Sequence, residues 1–291
     1  MRTLIRSDSS STIGLGHIMR DLVFAKSLEG EVIFACQNLE GNIIASIPYE
    51  VKILNSNDKS ELIELIRALK IDLLVIDHYG IDAHFEQKIQ EATNVKILSF
   101  DDTYQPHHCD ILLNHNLSAD ASRYTHLVPK NCELRCGSAY TLIRDEFKRE
   151  KEKECEKIYD IFIAMGGTDA SNITLSILKT LSDHLRLCIL TTTANAHLHE
   201  LKNYVANKPN IALHINSNEV AKLLHQSRLA IVTPSVMVHE VLFMEVPFIA
   251  IKVASNQDDM YKYLKDNGYF TLAYFQATFL NNFIKILKGA L

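Results

Sequence analysis

The chain has 291 residues, 47% of them apolar and 22% charged, with a formal net charge of −5. This composition excludes a disordered or collagen-like chain, and the length suits two domains of average size. Lys and Arg are scattered along an acidic chain instead of forming a basic stripe, so no nucleic-acid partner is expected.

The first strand is Thr3-Leu4-Ile5, and shortly after it comes Gly14-Leu15-Gly16-His17, opening a helix near Ile18. A strand that breaks into paired glycines and then a helix aims backbone N–H groups and a positive dipole end at an anion. A tight turn without a ligand would use the same glycines. His17 stands at the mouth of this turn, and its ordinary pKa near neutrality suits a general base or acid, which makes it the candidate catalytic residue. The third glycine of a dinucleotide fingerprint is missing, and Cys36-Gln37-Asn38 stands where its acidic residue belongs. No GxxxxGK[ST] loop exists either, which argues against NAD and against an NTPase phosphate loop.

Further apolar runs follow at residues 32–35, 51–54, 73–76, 95–98 and 111–113. Largely apolar, β-branched runs of this kind read as strands buried on both faces of a parallel sheet. Between them, Ile18, Leu22, Ala25 and Leu28, and later Leu62, Ile63, Ile66 and Leu69, recur at helical spacing. Asp77-His78-Tyr79-Gly80 ends the fourth strand and Asp101-Asp102 the fifth. Adjacent residues of an extended chain point oppositely, so Asp101-Asp102 reads as a loop cap more readily than as a metal site, and His107-His108 shares that weakness.

The pattern loosens from Asn114 to Asn131, and a charged stretch, Arg144 to Lys157, reads as a solvated linking helix, placing the boundary near residue 150. A second series of runs occupies 161–164, 187–190, 212–213, 229–232 and 248–251. Gly166-Gly167-Thr168 follows its first strand and offers N–H groups and a hydroxyl to a phosphate or ribose, or else forms an ordinary turn. Thr233 or Ser235 caps a helix running to about Met244; Glu240 lies one turn inside it, placed either to accept two hydrogen bonds from a ribose diol or simply to complement the dipole. Asn256-Gln257 opens a late helix and could bind phosphate or sugar hydroxyls, or serve as a cap. The expected fold is α/β, two doubly wound parallel-sheet domains, residues 1–150 and 151–291, facing across a cleft contacted by both glycine turns.

The six cysteines contain no CxxC pair, and the spacing of Cys132 and Cys136 lacks the second ligand pair of a zinc site. No signal peptide opens the sequence and no apolar stretch reaches the roughly 18 residues that span a bilayer. The expected protein is cytoplasmic, with no membrane partner.

Arg6-Ser7-Asp8, Gly14-x-Gly16-His17-x-x-Arg20, Asp77-His78-Tyr79-Gly80, Phe100-Asp101-Asp102, Gly137-x-x-Tyr140-x-Leu142-Ile143-Arg144-x-Glu146-Phe147 and Met165-Gly166-Gly167-Thr168-Asp169 together resemble the UDP-sugar hydrolases of bacterial pseudaminic acid synthesis. The resemblance spans nearly the whole chain. It implies a GT-B fold similar to that of the peptidoglycan N-acetylglucosaminyltransferase, and hydrolysis of a UDP-linked 2,4-diacetamido-2,4,6-trideoxy sugar to UDP and free sugar without metal or cofactor. It further implies a monomer whose first domain holds the sugar and the catalytic base, and whose second domain holds UDP.

Carried over to this sequence, His17 is the water-activating base for inverting attack. The substrate contacts are Gly14, Gly16, Arg20, Tyr79, Arg144, Gly166, Gly167, Thr168, Ser235, Val236, Asn256 and Gln257, with Glu240 on the ribose and the main chain around Ile215 on the uracil. Related transferases carry paired glycines before the ribose helix where this chain has Pro234-Ser235-Val236, and a glycine where it has Glu245-Val246-Pro247, so Ser235 and its N–H stand in at the diphosphate. The alternatives are a GT-B glycosyltransferase, for which a basic amphipathic docking segment is missing, and a non-catalytic nucleotide-sugar binder, which would need the glycines but not His17.

Overall fold

A computed structural model describes residues 1–288. It divides into two compact units, Met1–Leu142 and Ile143–Leu291. In the first, strands β1 (Arg2–Ser7), β2 (Glu31–Gln37), β3 (Glu50–Leu54), β4 (Leu73–Asp77), β5 (Lys96–Phe100), β6 (Ile111–Asn114) and β7 (Glu133–Cys136) alternate with helices α1 (Gly16–Ala25), α2 (Lys59–Leu69) and α3 (Ala83–Thr93). All strand pairs are parallel, in the order β3-β2-β1-β4-β5-β6-β7.

The apolar runs are continuous because the sheet is buried on both faces. Leu4, Ile33, Leu74 and Ile76 pack into one cluster while their strand neighbours Ile5, Phe34 and Val75 pack into another on the opposite face. Local signals agree with the sheet: Asp58 caps α2 through Ser60 N at 2.8 Å, and Asp82 caps α3 through Phe85 N at 2.8 Å.

The second unit repeats the plan with α4 (Asp145–Lys151), β8 (Tyr159–Ala164), α5 (Ile173–Thr180), β9 (Leu187–Thr191), α6 (Leu198–Val205), β10 (Ile211–Ile215), α7 (Val220–His225), β11 (Ser227–Val232), α8 (Val236–Phe243), β12 (Phe248–Ile251), α9 (Asp258–Asp266), β13 (Thr271–Leu272) and α10 (Ala277–Lys288). Its parallel sheet runs β10-β9-β8-β11-β12-β13. The two units share one design: the first strand of each is flanked on one side by the second and on the other by the fourth. That reversal opens a crevice at the carboxyl ends of β1 and β4, and again at those of β8 and β11, where open α/β sheets bind ligands.

Two strands were not expected. β7 reads Glu-Leu-Arg-Cys and β13 has two residues; both are edge strands, half covered, and so lack the unbroken apolar run that marks the interior. The linking helix is shorter than the charged stretch. It ends at Lys151, belongs to the second unit, and buries Phe147 completely, so the division lies before Arg144.

One buried ion pair ties the first crevice together. Arg6 is fully buried and its guanidinium grips Asp8 twice, at 2.7 and 2.8 Å. Asp8 also accepts Gln37 N at 2.7 Å and His78 Nε2 at 3.2 Å, joining β1, the end of β2 and the loop after β4. Removing one partner of such a pair strands a buried charge, which costs about 3–5 kcal/mol. Asp8→Ala is therefore expected to destabilise the first unit by about that amount in urea unfolding; a loss below about 1 kcal/mol, the ordinary effect of a single substitution, would contradict this role.

Candidate active site

The first crevice gathers a cluster of charge around Asp77, the last residue of β4. His17 lies in the first turn of α1, and its Nδ1 sits 2.7 Å from Asp77 Oδ1 and 3.1 Å from the Asp77 carbonyl. Arg20, three residues on, reaches the same carboxylate through Nε and Nη2, both at 2.5 Å, and bonds Asp102 Oδ2 through Nη1 at 2.9 Å. Asp21, four residues after His17, is completely buried beside Asp77. Spacings of three and four put His17, Arg20 and Asp21 on one helix face.

The electrostatics follow from burial and pairing. Burial opposes ionisation of Asp77, but Arg20 and His17 outweigh it and hold the carboxyl well below the usual range. Burial, and next the charge of Asp77, drive the Asp21 carboxyl far above the usual carboxylate range. For His17, burial disfavours the imidazolium, yet the hydrogen bond and charge of Asp77 prevail and raise its pKa above 6.5. The carboxylate also fixes the tautomer. Nδ1–H donates to Asp77, which leaves the lone pair on Nε2, an atom with no protein hydrogen bond.

Tyr79 stands over this pair, its ring edge-on to His17 with centroids 4.6 Å apart. Its hydroxyl donates to Asp102 Oδ1 at 2.9 Å, and burial together with Asp102 pushes its pKa up to about 12, so it stays a hydrogen-bond donor. It is 65% exposed, which leaves it open to a ligand. Gly14 adopts a positive φ of 86° and closes a turn in which its N–H donates to Ser10 O at 2.9 Å. The N–H groups open to an anion at this turn are thus those of Gly16 and His17, in the uncapped first turn of α1.

In the second crevice Gly166 has a φ of 89°, and a Cβ on Gly167 would press on Thr192 at 3.3 Å. The helix after this turn begins only at Ile173. Its first N–H groups are taken by Asp169, which accepts Ile173 N at 2.9 Å and Thr174 N at 3.1 Å, so Gly166, Gly167 and Thr168 rather than α5 are what the turn can offer an anion. After β11, by contrast, α8 starts at Val236 behind Ser235 without a side-chain cap, and Val236 is exposed. An uncapped helix start presents N–H groups suited to a diphosphate. Thr233 Oγ1 and Ser235 Oγ lie 3.0 Å apart beside it.

Glu240, inside α8, is buried and paired with Arg144 Nε at 2.6 Å. Asn256 is exposed and bonds no protein group, whereas the Gln257 side chain is engaged by Val253 N at 2.9 Å. Ile215 ends β10, an edge strand whose outer side carries unpaired main-chain groups.

Both arginines expected at the substrate are engaged within the protein: Arg20 with two aspartates, and Arg144 with Glu240 and with Glu146 at 2.6 Å. Asp101 is a loop cap, accepting Thr103 N at 3.0 Å and the Tyr124 hydroxyl at 2.7 Å. Among the described residues, no three His, Cys, Asp or Glu side chains gather as metal ligands, and no helix is long and apolar enough to cross a membrane. Sequence reasoning missed the roles of Asp77, Asp102 and Asp21 as partners of His17 and Arg20; the helical spacing from His17 to Asp21 was the available signal.

The architecture is the GT-B fold. MurG of Acinetobacter baumannii superposes with a TM-score of 0.63 at 14% identity, over 99% of this chain and 90% of its own. HepE of Anabaena, solved with UDP-glucose, gives 0.62 at 9% identity over 98% of this chain and 89% of its own. No family model matches the sequence. The UDP-2,4-diacetamido-2,4,6-trideoxy-β-L-altropyranose hydrolase of Campylobacter jejuni is 48% identical over 269 residues, 92% of this chain and 98% of that protein, and the chain belongs to this hydrolase family. The spore coat polysaccharide biosynthesis protein SpsG of Bacillus subtilis is a more distant relative, 23% identical over 285 residues.

The tautomer and pKa of His17 are open to direct test. Its imidazole is expected to titrate above 6.5 by NMR in the wild type, and at a lower pH in Asp77→Asn, where burial acts without the opposing carboxylate. An unchanged titration in the variant would show that Asp77 does not control His17.

Proposed function

We propose that this protein hydrolyses a UDP-linked 2,4-diacetamido-2,4,6-trideoxy sugar to UDP and the free sugar, a step of pseudaminic acid synthesis, with His17 as the general base. The observation that carries the reading is the Asp77–His17 pair, 2.7 Å apart, which leaves Nε2 bare at the end of the sheet where a ligand is expected. Family membership supports the substrate class.

In the proposed step Nε2 takes a proton from water as the oxygen attacks the anomeric carbon. The bond from that carbon to the diphosphate oxygen breaks, its electron pair leaves with UDP, and the configuration inverts. A glycosyl diphosphate already carries a good leaving group, so the protein's tasks are to align the water and to stabilise negative charge on the departing phosphate. The open N–H groups of α8 and of Gly166 and Gly167 supply the stabilisation, and Tyr79 and Asn256 contact sugar or diphosphate. Glu240 accepts the ribose hydroxyls, and Ile215 meets the uracil. Arg20, engaged with Asp77 and Asp102, keeps Asp77 ionised and in place.

General-base assistance contributes about 10²–10⁴-fold. His17→Asn is expected to lower kcat by about that factor while UDP affinity stays near wild type; near-normal turnover would remove His17 from the reaction. The base works only when neutral. The rate of the wild type should accordingly fall as the pH drops through the raised His17 pKa, and Asp77→Asn should move that acid limb to lower pH while reducing the plateau.

A further inference from the structure

We infer that Arg144 is a positioning residue: by holding one oxygen of Glu240 it presents the other to the ribose diol of a nucleoside diphosphate. The inference rests on the proposed reading that Glu240 takes the ribose, and adds how a buried carboxylate stays fit to do so.

Glu240 is buried, with only 6% of its side chain exposed. Burial pushes its carboxyl up, and the neighbouring Glu146 pushes the same way; Arg144 opposes both and limits a shift that remains upward. Without that cation the carboxyl would drift toward its neutral form, which carries a proton and is no longer an acceptor at every lone pair. The contact is also directional. Arg144 Nε occupies Oε1 at 2.6 Å, while Oε2 makes no hydrogen bond within the protein. An ionised oxygen with two open lone pairs matches two adjacent hydroxyl donors, the pattern of a ribose 2′,3′-diol.

Arg144 is itself held from three sides. Its Nη1 meets Glu146 Oε1 at 2.6 Å, its guanidinium lies 4.9 Å from the centre of the Phe147 ring, and Phe147 is completely buried. Its backbone caps the start of α4. The guanidinium is thus fixed before any ligand arrives, so Glu240 need not reorganise on binding.

The test is calorimetric binding of UDP and of 2′,3′-dideoxyuridine diphosphate to the wild type, Arg144→Ala, Arg144→Lys and Glu240→Gln. Hydrogen bonds to a charged acceptor carry enough energy that the wild type should prefer UDP by roughly tenfold or more. Arg144→Ala should lose most of that preference by weakening UDP alone, leaving the dideoxy ligand within about twofold, and Arg144→Lys should recover part of it. Equal weakening of both ligands in both Arg144 variants, or a preference that survives Arg144→Ala, would overturn the inference. A wild-type preference that Glu240→Gln leaves intact would instead refute the ribose assignment itself, and with it this role for Arg144.

Discussion

A carboxylate with almost no solvent must find cations or give up its charge, and the first unit is organised around how Asp77 meets that demand. Its position is dictated by the sheet, since β4 delivers it to the point where strand order reverses beside β1. One helix then supplies everything it needs. His17 and Arg20 bring three donors, and burial beside Asp77 drives the Asp21 carboxyl far upward. The catalytic proposal inherits its chemistry from this balance: the interaction that neutralises Asp77 also aims His17.

The balance carries a cost in pH range. Asp77 strengthens His17 as a base, yet raises the pH below which it is protonated and idle. Arg20 tempers this, because its positive charge beside the same carboxylate opposes protonation of His17. A lone histidine at the mouth of a glycine turn would have neither a fixed tautomer nor this compromise. The second unit meets a related problem at Glu240, where an arginine again opposes the upward push of burial on a carboxyl.

Much of this was legible in the sequence, and the reasons are physical. Interior strands such as Leu73-Leu74-Val75-Ile76 announce themselves because both faces are buried, and Gly14 because its turn needs a positive φ. The GT-B fold and the hydrolase family were likewise readable from motifs spread along the chain. Edge strands β7 and β13 were not, since half-covered residues carry no continuous apolar signal. Partners distant in sequence were hidden too. For Arg20, the fold sets Asp77 and Asp102, 57 and 82 residues away, against its three nitrogens. For Arg144, it sets Glu240 alongside, 96 residues on.

The central claim is that a water activated by His17 attacks carbon and not phosphorus. Turnover in ¹⁸O-water, read by the isotope shift of the UDP phosphorus resonances, tests it most directly. Unlabelled UDP beside a free sugar carrying one ¹⁸O is the predicted result, and ¹⁸O in the terminal phosphate of UDP would contradict the account.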